Sequence, residues 1–175
     1  MMKLYYCAID LPTGIAFAAA TSRGISRLDL RPPSFAEFME EIEAEFGISP
    51  VEAERPFTVL KKELNSYFRG EPVSFTVRLD VRGTEFQNRV WDRLRNIPYG
   101  NVRSYKWLAA EAGNPAAARA VGGALNRNRV AVVIPCHRVV ESSGGLGGFG
   151  SGIEIKKRLL EIEGVLPKLS SLLSA

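Results

Sequence analysis

Cysteine and histidine are scarce in this chain of 175 residues, which has only Cys7, Cys136 and the single His137. Two cysteines cannot build a disulfide framework. One histidine leaves a zinc site short of its four good ligands, so no metal is expected. No apolar run approaches the roughly 20 residues of a membrane helix, and the opening Met1-Met2-Lys3-Leu4-Tyr5-Tyr6-Cys7 is too polar and too short for a signal peptide. Secretion and membrane insertion are therefore not expected, which leaves the cytoplasm, or the nucleus in a eukaryote. The composition itself is that of an ordinary globule able to bury a core, 46% hydrophobic and 24% charged.

Charge is distributed unevenly. Residues 1–80 carry 9 Lys/Arg and 12 Asp/Glu, a net −3, whereas residues 81–175 carry 14 and 7, a net +7. The basic half fits either a polyanion partner or a solvated basic surface. The acidic half reads as strands followed by helices. Leu4–Ile9 and Ile15–Thr21 are β-prone around the turn Leu11-Pro12-Thr13-Gly14, and Ser22-Arg23-Gly24 leads into a third strand, Ile25–Leu30. Ser34 with Glu37 forms a capping box before Phe35, Phe38, Met39, Ile42 and Phe46 at helical spacing. A second helix starts at Pro56, carries Leu60, Leu64 and Tyr67–Phe68 inward, and ends at Gly70. Val73, Phe75, Val77 and Leu79 alternate as a half-buried strand. The fold class is α/β (α+β). A small antiparallel-sheet lobe over 1–80 precedes a mostly helical domain over 81–175.

In the second domain Thr84 and Gln87 cap a helix that turns Phe86, Val90, Leu94 and Ile97 to one side before Pro98-Tyr99-Gly100. Ser104 caps the next helix, which Gly113 ends. Asn114 then reads as an N-cap with Pro115 at the first helical position of a helix over about Ala116–Asn126. Helix, tight turn, helix is the pattern of a helix-turn-helix reader, and also of helical hairpins that bind nothing. Arg119 stands near the start of the second helix among alanines and glycines, including Ala120 and Gly123. So slim a face allows close approach to a ligand or to another helix.

Val130–Ile134 is an apolar, β-prone run that ends at Pro135-Cys136-His137-Arg138. Proline stiffens the turn, and His137 and Arg138 beside the thiol favour thiolate over thiol. Cys136 is thus a candidate nucleophile; the alternative is a small buried hydrophobe. Six of the nine positions 144–152 are glycine, leaving N–H groups open. Because the segment joins the Cys136 turn to a capped helix over about Ile153–Glu163, it reads as a pocket wall rather than a linker.

Ile134-Pro135-Cys136-His137-Arg138-Val139 resembles the active-site signature of the 6-O-alkylguanine–DNA alkyltransferases, also called methylated-DNA–protein-cysteine methyltransferases. The likeness runs over residues 84–164, through Phe86-Gln87, Ile97-Pro98-Tyr99-Gly100, Ser104-Tyr105, Gly113-Asn114-Pro115, Ala118-Arg119-Ala120-Val121-Gly122, Asn126 and Asn128. It implies a suicide repair protein that takes the alkyl group of damaged guanine onto its own cysteine and is not regenerated. By the resemblance Cys136 is the acceptor, His137 the water-mediated base and Glu163 the carboxylate that orients it. Asn128 braces the turn. Tyr105 supports nucleotide rotation and donates a hydrogen bond to the base, and Arg119 enters the duplex where the base was. The carbonyls of Val139 and Cys136 and the Gly150 N–H read the guanine edge, with Ala120 and Gly123 on the DNA-facing helix. The implied partner is double-stranded DNA carrying alkylated guanine, bound through its minor groove by a monomer without a cofactor.

The chemistry agrees with these residue types. Displacement at a saturated carbon needs a soft anionic nucleophile, and a tyrosine hydroxyl can stabilise the departing guanine. Two departures stand out: Phe149 where tyrosine is frequent, and Gly150 where some members have serine. The histidines that hold zinc in the N-terminal lobe of some relatives are absent. Two rival readings are a non-catalytic DNA sensor, which lacks the acceptor cysteine, and a Cys–His hydrolase, for which no oxyanion signature is present.

Overall fold

A computed structural model describes residues 2–32 and 34–169. The chain divides into two compact units, Met1–Arg82 and Gly83–Ala175. Among the described residues no helix is long and apolar enough to cross a membrane.

The first unit is a four-stranded sheet in the order β3-β2-β1-β4. Strands β1 (Leu4–Leu11) and β2 (Gly14–Thr21) form a hairpin closed between Leu11 and Gly14, and β3 (Gly24–Asp29) adds antiparallel to β2. The purely antiparallel sheet read from the sequence needs correction: β4 (Val51–Glu52) pairs parallel to β1 at Tyr5 and Tyr6. Helix α1 (Phe35–Phe46) lays Phe38, Ile42 and Phe46 on Leu4 and Ala19. Residues of β1 alternate between faces, so Cys7 turns away from α1, and α2 (Thr58–Phe68) with buried Leu60, Leu64 and Tyr67 contacts β1. Only half of the expected Ser34 box forms. Ser34 Oγ accepts from the Glu37 N–H, but the Glu37 carboxylate takes the Ser34 hydroxyl instead of its backbone N–H.

The expected strand over Val73–Leu79 is not one. Val77 is buried and the burial alternates, yet among the described residues the segment's one pairing is an isolated bridge between Ile25 and Leu79. The Thr76 N–H, which a longer ladder would need, is held by the Glu63 carboxylate at 2.9 Å.

In the second unit α3 (Glu85–Arg95) starts on the reciprocal Thr84–Gln87 capping box. Its buried Trp91 donates from Nε1 to the Ala124 carbonyl at 2.9 Å, tying α3 to α5 (Ala118–Asn126). Helix α4 (Tyr105–Glu111) starts at Ser104, whose hydroxyl accepts from the Trp107 N–H. The expected cap on α5 is displaced. Asn114 Oδ1 accepts from the Ala116 N–H in a local turn, Ala117 is the N-cap, and the helix begins at Ala118. Helix α6 (Ile153–Ile162) begins at Gly152 without a side-chain cap, contrary to expectation, and Gly164 follows it at φ 68°. A two-stranded pairing of β5 (Arg103–Ser104) with β6 (Val139–Val140) brings the start of α4 beside the chain that leaves Cys136.

Candidate active site

Cys136 stands on a turn rather than at the end of a strand. Val130–Ile134, read as a strand, folds into a tight turn with a bridge between Ala131 and Ile134 and with buried Val132 at φ 71°, a region that β-branched residues rarely enter. Asn128 prevents strand pairing by consuming backbone groups. Its Oδ1 accepts from Val130 N–H at 2.9 Å, and its Nδ2 donates to the Ile134 carbonyl at 2.8 Å. Pro135, at φ −82° and ψ 62°, centres an inverse γ-turn, closed by Cys136 N–H donating to Ile134 O at 2.8 Å. Cys136–Arg138 then make one turn of 3-10 helix.

This backbone presents a nearly buried thiol, 7% exposed, whose Sγ lies 3.0 Å from Asn128 Nδ2. Burial pushes the thiol pKa up. The Asn128 amide, the charge of Lys156 and the N–H groups of Cys136 and His137 pull in the opposite direction. The expectation that the side chains of His137 and Arg138 favour the thiolate is not met, because a 3-10 turn splays adjacent side chains and both engage Glu163. His137 Nε2 is 2.7 Å from Glu163 Oε1. Arg138 binds the same carboxylate from Nε (2.9 and 3.1 Å) and Nη2 (3.0 Å), and donates from Nη1 to the Ile97 carbonyl at 2.6 Å. The Gly100 N–H also donates to Glu163, at 3.0 Å. Burial alone would raise the Glu163 pKa, but His137 and Arg138 hold it down to about 2. Burial lowers that of His137, against the pull of Glu163, so the imidazole is neutral near pH 7.

A cavity of about 210 Å³ opens at Cys136, lined also by Tyr105, Leu125, Asn126 and the Gly148–Gly150 stretch. Burial, then the neighbouring Cys136 and Glu141, raise the Tyr105 pKa, so its hydroxyl stays protonated. The glycine segment is pressed against that ring: a Cβ on Gly147, at φ 70°, would lie 2.6 Å from Tyr105 Oη. Of the residues singled out in the sequence, Cys136, Tyr105 and Gly150 line this cavity and Asn128 touches the thiol. His137 and Glu163 pair behind it, and Val139 is fully buried at the end of the turn. Arg119, Ala120 and Gly123 do not line the cavity. They share the exposed face of α5, opposite Val121, Ala124 and Leu125.

One residue was missed. Lys156 is fully buried, and its Nζ donates to the carbonyls of Val139 (2.7 Å), Leu146 and Gly148 (3.3 Å). It thereby ties the glycine wall to the chain leaving Cys136. Burial lowers its pKa to about 8. The signal in the sequence was a lysine three and four residues before Leu159 and Leu160, on the apolar stripe of α6. Lys156→Met keeps the stripe but removes a cation near the thiol. Reaction of Cys136 with iodoacetamide should shift to higher pH by about one unit, a roughly tenfold loss of rate at pH 7, and a pH profile of labelling checks it.

A hydrogen-bonded thiol beside a cavity, in a unit that also presents a two-helix element with a slim exposed face, is the arrangement of a candidate cysteine nucleophile. Residues 85–165 match the family described as 6-O-methylguanine DNA methyltransferase, DNA binding domain. A methylated-DNA–protein-cysteine methyltransferase of Methanosarcina acetivorans is 41% identical over 92% of this chain and 99% of its own length. The crystal structure of the O6-methylguanine methyltransferase of Mycobacterium tuberculosis superposes with a TM-score of 0.80 at 38% identity, covering 97% of this chain and 94% of that one. That of the same organism's OGT in complex with DNA gives 0.77 at 38% identity over 98% and 99%. The chain belongs to the methylated-DNA–protein-cysteine methyltransferases.

Proposed function

We propose that this protein repairs DNA by moving the alkyl group of 6-O-alkylguanine irreversibly onto Cys136, one group per molecule. The observation that carries the reading is the Cys136 thiol, held by Asn128 at the mouth of a cavity walled by Tyr105 and the glycine segment. His137, neutral and oriented by Glu163, takes the thiol proton through an intervening water. The thiolate attacks the alkyl carbon, an S–C bond forms and the C–O bond to guanine breaks. The departing guanine takes its proton from the Tyr105 hydroxyl, which is reprotonated from solvent as the His137 imidazolium returns the thiol proton to it. The Val139 and Cys136 carbonyls and the Gly150 N–H read the base edge. The product thioether has no leaving group that water can displace readily, so the protein is spent.

DNA is bound by the basic unit. Helix α5 enters the minor groove of the duplex with Ala120 and Gly123 against it, the damaged nucleotide rotates out, and Arg119 fills its place. Unstacking costs a few kcal/mol, part of which Arg119 offsets. One monomer suffices, because every reacting group named lies within residues 83–175.

The test is a single-turnover reaction with a duplex carrying 6-O-methylguanine and, separately, with a free 6-O-alkylguanine base, followed by peptide mass mapping. One alkyl group on the Cys136 peptide is expected with both. Arg119→Ala should slow the duplex reaction about tenfold, equivalent to about 1.4 kcal/mol, and leave the free base reaction unchanged. Repeated turnover would indicate a hydrolase, and binding without transfer a sensor.

A further inference from the structure

The sheet unit is acidic overall, yet it contains a basic groove. A cavity of about 530 Å³, in the range of small-ligand sites, is lined by Arg23, Arg55 and Arg78 together with Tyr5, Pro56 and Val59. Each arginine sits on constrained backbone. Arg23 is in the β2–β3 turn, and Arg55 opens a 3-10 turn with Pro56 next to it. Arg78 lies beside the isolated bridge, where the Ile25 N–H donates to the Arg78 carbonyl at 2.8 Å. Gly24 makes that approach feasible, since a Cβ there would lie 2.4 Å from the Arg78 carbonyl oxygen.

The charges on this frame are only partly compensated. Asp80 pairs with Arg23 at 2.9 Å and accepts the Thr21 hydroxyl at 2.6 Å. Arg55 and Arg78 are exposed, and among the described residues neither guanidinium has a carboxylate partner. Of the nearby carboxylates, Glu54 is paired with Lys61, and Glu63 is turned onto the Thr76 N–H and hydroxyl, where it keeps its negative charge. The groove lining also includes apolar surface, with Val59 51% exposed and Pro56 next to Arg55 in sequence. Two unpaired guanidiniums suit phosphate oxygens, which they can grip in bidentate fashion, and apolar Pro56 and Val59 suit the sugar or base of the same strand.

We propose that this groove is a second DNA contact, in which Arg55 and Arg78 hold a stretch of phosphodiester backbone against Pro56 and Val59. The proposal rests on the reading of the protein as one that acts on DNA. An acidic peptide would satisfy the cations as well, but a protein that acts on DNA already meets a phosphodiester polyanion.

The experiment uses the full chain and an undamaged duplex. Affinity is measured between 50 and 200 mM salt for the wild type, Arg55→Ala/Arg78→Ala and Arg55→Lys/Arg78→Lys. Each phosphate contact contributes about 0.9 to the slope of log affinity against log salt. The alanine pair should therefore flatten the slope by about 2, and the lysine pair should restore most of it. Arg31→Ala/Lys62→Ala, which removes two exposed cations that do not line the groove, should leave the slope within about 0.5 of wild type, less than one phosphate contact. Thermal unfolding and alkylation by the free base should be unchanged throughout. An unchanged slope in the alanine pair overturns the proposal, as does an equal loss in the Arg31/Lys62 control. Competition by oligoglutamate that requires Arg55 and Arg78, with the DNA slope unchanged, would assign the groove to an acidic peptide and overturn it too. Failure of the repair reading would appear separately, as a wild-type protein that takes no alkyl group from the free base.

Discussion

Cys136→Ser is expected to leave alkyl transfer undetectable while duplex affinity stays within a few-fold of wild type. A serine hydroxyl is almost wholly un-ionised at neutral pH and is a weak nucleophile towards saturated carbon, whereas a thiolate is a soft and strong one. The turn should survive the change. Its geometry comes from Asn128 bonding Val130 and Ile134 and from the fixed φ of Pro135, none of which needs sulfur. Cys7 cannot substitute. Burial is the main reason its pKa is raised to about 12, so only about one thiol in 10⁵ is ionised at pH 7, and it is fully buried in the other unit. Single-turnover reactions with peptide mapping check this. Alkyl groups on Cys7 would refute the assignment, and a variant with unchanged chemistry but lower stability would make Cys136 a packing residue.

What could be read in advance was what short-range chemistry determines. The Thr84–Gln87 box and the Ser104 cap lie within three residues of the N–H groups they satisfy, and both formed as expected. The Leu11–Gly14 hairpin closed where proline and glycine marked a turn. The errors arose where a side chain captured backbone groups that propensity alone assigns to a ladder. Asn128 did this to Val130–Ile134, and Glu63 did it to the segment around Thr76. Two-residue pairings such as β1 with β4 and β5 with β6 carry no periodicity to detect. At the site, residue types were legible but directions were not. Arg138 is next but one to Cys136 in sequence, yet the 3-10 turn aims it at Glu163 and Ile97. Lys156 was obscured for the opposite reason: a lysine among surface lysines and arginines looks solvated until the carbonyls of Val139, Leu146 and Gly148 are seen to surround it.

Glu163→Gln is expected to destabilise the unit over residues 83–175 by about 3–5 kcal/mol, the usual cost of removing one partner from a buried ion pair. The glutamine oxygen can still accept from Gly100, but its amide donors would face the Arg138 guanidinium, itself all donors, leaving a buried charge uncompensated. The variant should also respond differently to acid. In the wild type the Glu163 pKa is depressed in the fold to about 2 from an ordinary 4.5. The stability this represents, about 3 kcal/mol on the scale of 1.36 kcal/mol per pKa unit, is fully present above pH 4.5. It is lost as the pH falls towards 2. A glutamine does not titrate, so the variant should be weaker at pH 7 and should lose less stability than the wild type between pH 4.5 and 2, the remaining slope coming from groups such as the buried His137. Alkyl transfer should slow as well: Glu163 is the main influence raising the His137 pKa against burial, and without it the imidazole is a poorer base and loses its orienting partner. Urea unfolding at pH 7, 4 and 3, alongside single-turnover rates in the folded range, separates the two effects. An acid limb that stays the same in the variant would place the acid sensitivity on another carboxylate and remove Glu163 from the centre of this cluster.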